Sequence, residues 1–175
     1  MKDTFDLSPL KQKKRKNSKK KGNAFENKVC KILNERFGKD KFHRTPGSGA
    51  FATTHRLPDH LVLEGDIITP PDFKFCIECK KGYNKEGLAS FFKTNSTTVG
   101  FLKKLEEQCR KVDKKPLLIM AQDRQPTLAF IPLKCISRFI VSHLNWVTVS
   151  NFSLQEVYLV LVLEDLLSLG DSCFF

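Results

Sequence analysis

Three polar residues near the middle of the chain have the types and spacing for phosphate chemistry. Glu78 and Lys80 stand at the end of the apolar run "FKFCIECKK", and Asp66 lies upstream in "GDII". Residues 73–80 are aromatic and β-branched enough to form a strand, on which residues two apart share a face. If residues 61–69 and 73–80 form a hairpin centred near residue 72, Asp66 falls opposite Glu78, with Cβ atoms about 4.5–5.5 Å apart. Two carboxylates and an ammonium then converge at one end of the hairpin. Carboxylate oxygens are the ligands that Mg²⁺ and Mn²⁺ prefer, and such an ion lowers the pKa of its water. The ammonium would orient or help deprotonate that water, or balance negative charge developing on a phosphate. Asp72, in the literal "PD" of the chain, is a poor substitute for Asp66. It falls in the turn, six residues and roughly 20 Å of extended strand away from Glu78.

The elements that must hold this group follow a mixed α/β order. Asn23 is placed to cap a helix over residues 23–37, with Phe25, Val29, Ile32 and Leu33 as its apolar stripe and Gly38 as its stop. A short strand near 41–45 follows, then the Gly/Ser/Thr-rich loop "TPGSGAFATTHRLPD" and the two strands of the hairpin. The stretch "GYNKEGLASFFKTNSTTVG", with exposed-looking Phe91 and Phe92, leads to an amphipathic helix marked by Phe101, Leu105, Cys109 and Val112. Strands at 117–121 and 128–131, a helix at 133–144 and a strand at 146–149 come next. Ser153 and Glu156 then read as the capping box of a terminal helix. That helix carries Leu154, Val157, Tyr158, Leu161, Val162, Leu166 and Leu167, more apolar surface than a one-sided helix needs, which points either to a two-fold interface or to enclosure in its own core.

Composition narrows the partner. The chain has 175 residues, 41% of them apolar, enough for one domain with a real core. Lys and Arg number 30 against 19 Asp and Glu, a net +11, and residues 1–21 hold nine basic and two acidic side chains. A polyanionic partner is implied. The tail "KQKKRKNSKKKGN" is poor in apolar residues and rich in like charge, so it is expected to stay disordered until it meets phosphate. An import-signal or solubilising arm has the same composition. No secretory signal opens the chain, and the longest apolar stretch, 157–169, is interrupted by Glu164 and Asp165 and is too short for a bilayer of about 30 Å. An intracellular protein without a membrane anchor is expected, in the cytoplasm or with the genome, and nuclear in a eukaryotic host. The six cysteines lie in apolar runs and read as small core residues. Cys76 and Cys79 form a CxxC, but residues three apart on a strand point to opposite faces, which argues against a zinc knuckle. No P-loop or Gly-rich dinucleotide turn is present, so no nucleotide cofactor is expected.

The succession "KGNAFENKVCKIL", "RTPGSGA", "GDII", "IECKK" and a later basic helix followed by a strand resembles the PD-(D/E)XK nuclease superfamily, and within it the archaeal-type Holliday-junction resolvases and their viral relatives. The resemblance covers residues 21–131. It implies an α/β fold with a mixed central β-sheet flanked by helices, a restriction-endonuclease-like core, behind a basic tail (1–21). The nuclease domain would occupy 22–175, with the core motifs in 22–131 and C-terminal helices in 132–175. It further implies Glu26, Ser48, Asp66, Glu78 and Lys80 as catalytic residues. The metal, Mg²⁺ with Mn²⁺ able to substitute, would be held by Glu26, Asp66, Glu78 and the backbone carbonyl of Cys79. Arg44 resembles the family's phosphate-binding arginine, and Lys81 joins it with Lys13, Lys14, Arg15 and Lys16 of the tail as candidate DNA contacts. Glu26, three residues after Asn23, also fits the far half of a capping box, and Ser48 fits an ordinary turn.

The implied function is a metal-dependent, structure-specific DNA endonuclease that resolves four-way junctions by paired nicks, acting as a homodimer on branched double-stranded DNA. Two other readings stay open: a sequence-specific or end-directed nuclease on the same fold, and a DNA-binding module without catalysis. The intact set of Asp66, Glu78 and Lys80 counts against the last, since a binder gains nothing from carboxylates facing phosphate.

Overall fold

The computed structural model describes residues 18–46, 65–93, 95–137 and 139–175. Helix α1 (Ser18–Phe37) is followed by strands β1 (His43–Arg44), β2 (Ile67–Ile68) and β3 (Phe75–Lys81). A short 3-10 turn at Leu88–Phe92 precedes helix α2 (Thr97–Lys111), and then come β4 (Lys115–Ala121) and β5 (Leu128–Pro132). The chain ends with β6 (Trp146–Val149), β7 (Tyr158–Val162), a five-residue helix α3 (Leu163–Leu167) and a last 3-10 turn at Asp171–Cys173. The strands form one sheet in the order β1-β2-β3-β4-β5-β7-β6. β3 and β4 run parallel, joined by the crossover through α2, and the other neighbours are antiparallel. This is the mixed central sheet with flanking helices that the family resemblance implies. Among the described residues no helix is long and apolar enough to cross a membrane.

Both faces of the sheet are covered, and strand alternation divides the core in two. Phe75, Ile77 and Cys79 of β3, with Leu117, Ile119 and Ala121 of β4, face α1 and α3. Cys76 of β3, with Leu118 and Met120 of β4, faces α2, which buries Val99, Leu102, Leu105 and Cys109. Cys76 and Cys79 therefore do point to opposite sides of the sheet, as expected for a strand. The N-terminus of α2 is closed by Ser96, whose Oγ accepts from the Val99 N–H. At one end of the sheet, Phe37, Phe42, Phe73 and Phe174 pack ring on ring, with centroids 4.9 Å apart for Phe37 and Phe174 and 5.0 Å for Phe42 and Phe73. Arg36 pins the C-terminal segment there by donating to the Leu167 and Leu169 carbonyls at 2.8 and 2.9 Å and pairing with Asp171 at 2.7 Å. With that end closed, the first half of α1 lies toward the C-terminal end of β3.

Four expectations need correction. Helix α1 already includes Ser18, so Asn23 lies inside it and is not its cap. The lysines at 19–21 have long unbranched side chains with good helix propensity and extend the helix toward the tail. The expected helix at 133–144 is only a 3-10 turn at Leu133–Cys135, after which Ile136 is extended at φ −133°. Its buried residues Ile136 and Val141 are five apart, a spacing that fits no single helix face. The expected terminal helix is mostly β7, whose Tyr158, Leu159, Val160 and Leu161 are buried between β5 and β6. The surplus apolar surface that pointed to a two-fold interface is therefore largely interior to the sheet, and 132–175 holds more strand than helix. Finally, Phe91 is buried against Phe130, while Phe92 is 92% exposed.

Candidate active site

One glycine sets the geometry of the hairpin end. Gly65 has φ +86°, and a Cβ built on it would lie 2.5 Å from the Ile77 carbonyl oxygen and 3.0 Å from the Cys76 Sγ. Only a residue without a side chain allows that approach. It lets the Asp66 N–H donate to the Ile77 carbonyl at 2.8 Å. Ile67 pairs with Ile77, so one step further along the antiparallel register Asp66 stands across from Glu78. On its other side, the Thr45 N–H donates to the Asp66 carbonyl at 2.9 Å. Asp72 is exposed in the turn between the strands, away from this end.

The carboxylate of Asp66 is anchored, because its Oδ2 accepts from the Cys79 N–H at 2.8 Å. Lys80 Nζ lies 3.7 Å from that same oxygen and donates to Glu78 Oε1. The ammonium is thus held between the two carboxylates. It also stands 5.2 Å from the centre of the Phe101 ring of α2, a cation–π distance, and Phe101 in turn packs edge-on against Tyr83. Side-chain exposures of 8% for Asp66, 15% for Glu78 and 19% for Lys80 leave the row largely withdrawn from water. Glu26 reaches it from α1. Arg44 Nη1 is 3.5 Å from Glu26 Oε2, an ion pair without hydrogen-bond geometry, and that oxygen is buried with no hydrogen-bond partner.

The electrostatics follow from placing three carboxylates in a half-dry site. Burial, and then the charge of Asp66, push the carboxyl groups of both Glu26 and Glu78 above the ordinary range. Arg44 opposes the shift at Glu26; Lys80, followed by Lys104 of α2, opposes it at Glu78. At Lys80, burial favours the neutral amine, but Glu78 and Asp66 together outweigh it and hold the pKa above its usual value. Lys80 is therefore a firmly charged ammonium in this arrangement.

The residues present fit a hard dication. Asp66, Glu78 and Glu26 offer oxygen donors, one Glu26 oxygen is buried without a donor, and the two glutamates are short of positive charge. Among the described residues no three His, Cys, Asp or Glu side chains form a ready-made cluster for a metal. The Lys80 ammonium stands between Asp66 and Glu78.

Of the residues singled out from sequence, Glu26, Arg44, Asp66, Glu78, Lys80 and the backbone of Cys79 come together here. Lys81 does not join them. It turns to the other face of β3, 3.5 Å from Asp123 Oδ1 and from the Gln122 carbonyl. Ser48 and the tail residues Lys13, Lys14, Arg15 and Lys16 lie outside the described residues. Sequence reasoning missed Gly65, Thr45, Phe101 and Lys104. The glycine directly before Asp66 was a readable signal of a close backbone approach, whereas Phe101 looked like an ordinary core residue of its helix. Thr45 has a buried Oγ1 without a hydrogen-bond partner.

Residues 17–169 match the family described as "Phage putative PDDEXK endonuclease". Protein D14 of Escherichia phage T5 is 36% identical over 116 residues, a match covering 61% of this chain and 66% of that protein. This chain thus spans just under two thirds of that relative's length. No solved structure matches. With the family match running through α1, the hairpin, α2 and the rest of the sheet, the chain belongs to the phage PDDEXK endonuclease family.

Proposed function

We propose that this protein is a divalent-metal-dependent DNA endonuclease whose preferred substrate is a four-way junction, opened by paired nicks. The observation that carries the nuclease reading is the row Asp66, Glu78 and Lys80, tied together across two strands with Glu26 beside it. Glu26, Asp66, Glu78 and the Cys79 carbonyl would hold Mg²⁺ or Mn²⁺. When bound, such an ion supplies charge neutralisation at the phosphate and acidifies a water for attack. Asp66 is kept in place by a hydrogen bond from the Cys79 N–H. Lys80, held against Glu78 and 3.7 Å from Asp66, would stabilise negative charge on the phosphate. Arg44, beside Glu26, is placed to contact a neighbouring phosphate.

The junction preference rests on the resemblance to junction resolvases and on the strongly basic composition. Paired nicks at symmetric positions call for two copies acting together on the branch. Recognition would then go through backbone contacts with little base readout. The test offers an immobile junction, a Y-fork, linear duplex and single strand of the same sequences, with Mg²⁺. Tightest binding to the junction and release of paired nicked duplexes is the expected result. Equal cutting of linear duplex, or degradation from ends, would replace it with a general nuclease reading.

A further inference from the structure

On the opposite face of β3 from the carboxylate row lies a cleft of about 480 Å³. Lys21, Phe25 and Lys28 of α1 line one wall, and Lys81, Arg124 and Gln125 are among the residues that line the rest. The fold brings them together from distant parts of the chain. Positions 21, 25 and 28 are spaced four and three apart and share one helix face. Lys81 follows Lys80 directly, so alternation along the strand sends Lys80 to the carboxylates and Lys81 to the cleft. Lys81 pairs with Ala121 across the parallel strands, which carries the turn between β4 and β5 to the same end of the sheet.

Four basic side chains, Lys21, Lys28, Lys81 and Arg124, face this space against a single acid, Asp123. That acid is already engaged. Asn84 donates to Asp123 Oδ2 at 2.9 Å and accepts from the Asp123 N–H at 2.9 Å, while Lys81 lies 3.5 Å from Oδ1. The reciprocal Asn84–Asp123 pair clamps the two loops that frame the cleft. Arg124 adds a second observation, for its backbone is left-handed at φ +61°, where glycine would be the unstrained choice. Its side chain lines the cleft beside Lys81.

We propose that this cleft binds phosphodiester groups of the DNA strand being cut, next to the scissile one. The inference rests on the nuclease reading of the carboxylate row. Lys80 and Lys81 are consecutive at the C-terminal end of β3 and point to opposite faces of it. A DNA strand crossing that end of β3 would meet the catalytic row on one side and the cleft on the other.

The experiment uses the full chain carrying Asp66→Asn, so that DNA is bound but not cut, and follows fluorescence anisotropy of labelled duplex and junction against salt. Lys28→Ala with Arg124→Ala should reduce the slope of log affinity against log salt by about 2, one for each lost phosphate contact. The charge-keeping pair Lys28→Arg with Arg124→Lys should restore it. Lys39→Ala with Lys115→Ala removes the same charge at the far end of the sheet and should leave the slope unchanged. An unchanged slope in the first pair, or an equal fall in the far pair, overturns the proposal. Arg124→Gly separates side chain from turn: it should raise the melting temperature and weaken DNA binding, and a gain in stability with unaltered binding counts against the cleft. Failure of the nuclease reading would appear separately, as absence of Mg²⁺-dependent cutting by the unaltered protein.

Discussion

Replacing Gly65 with alanine should damage both the fold and the site, by amounts that the geometry fixes. Two effects add. A left-handed backbone at φ +86° penalises any residue with a Cβ by about 1–2 kcal/mol. The new methyl would also sit 2.5 Å from the Ile77 carbonyl oxygen, and overpacking against backbone adds about 1–3 kcal/mol. The expected loss is about 2–5 kcal/mol, or roughly 4–20 °C in Tm for a chain of this size. To relieve the contact, β2 must move away from β3 and carry Asp66 with it. A displacement approaching 1 Å at a catalytic group lowers the rate by about 10²-fold. Gly38→Ala is the control. It is also left-handed, at φ +114°, but a Cβ there meets only the flexible end of Lys41, at 3.3 Å, and it lies beyond the far end of α1. That variant should lose only about 1–2 kcal/mol and keep its cutting rate. Chemical denaturation and single-turnover cleavage of both proteins provide the measurement. If Gly65→Ala is no less stable than Gly38→Ala and cuts normally, the close approach of β2 to β3 does not position Asp66.

Glu78→Gln should make the metal-free protein more tolerant of rising pH. The folded-state pKa of Glu78 lies above its ordinary 4.5, so its contribution to stability is present below 4.5 and is lost as pH rises through the folded value; urea midpoints at pH 4.5 and 7.5 should fall in the unaltered protein and fall less in the variant. Tyr158→Phe removes the hydroxyl that donates to the buried Glu106 at 2.9 Å, for an expected loss of about 1.5–3 kcal/mol by denaturant melt with cutting retained. Deleting residues 1–17, which leaves α1 whole, should weaken binding to every DNA and flatten the salt dependence by several units. An unchanged salt slope would return the tail to an import or solubility role.

The hairpin could be read before the structure because strand alternation and the "PPD" turn fix its register together, and register places Asp66 across from Glu78. Glu26 was nameable only through the resemblance, since Asn23 offered a capping explanation that α1 removes by starting earlier. The C-terminal third was misread for a physical reason. A strand buried on both faces, such as Tyr158–Val162, is apolar at every position, and its period cannot be told from that of a buried helix. The basic cleft was invisible in sequence because it depends on the parallel pairing of β3 with β4, which brings Lys81 and Arg124 together across more than forty intervening residues. Lys80 was readable in type, spacing and company, but its contact with the Phe101 ring of α2 was not, because it depends on how the helix packs on the sheet.

The most direct test of the central claim is cleavage of DNA by the purified protein and by its Asp66→Asn variant, with Mg²⁺ and with a chelator. Asp66→Asn keeps the size of the side chain and an oxygen able to accept from the Cys79 N–H, while removing the carboxylate charge. The account predicts cutting by the unaltered protein in Mg²⁺ alone, and none by the variant under either condition although it still binds DNA. Robust metal-dependent cleavage by the Asp66→Asn protein would contradict it.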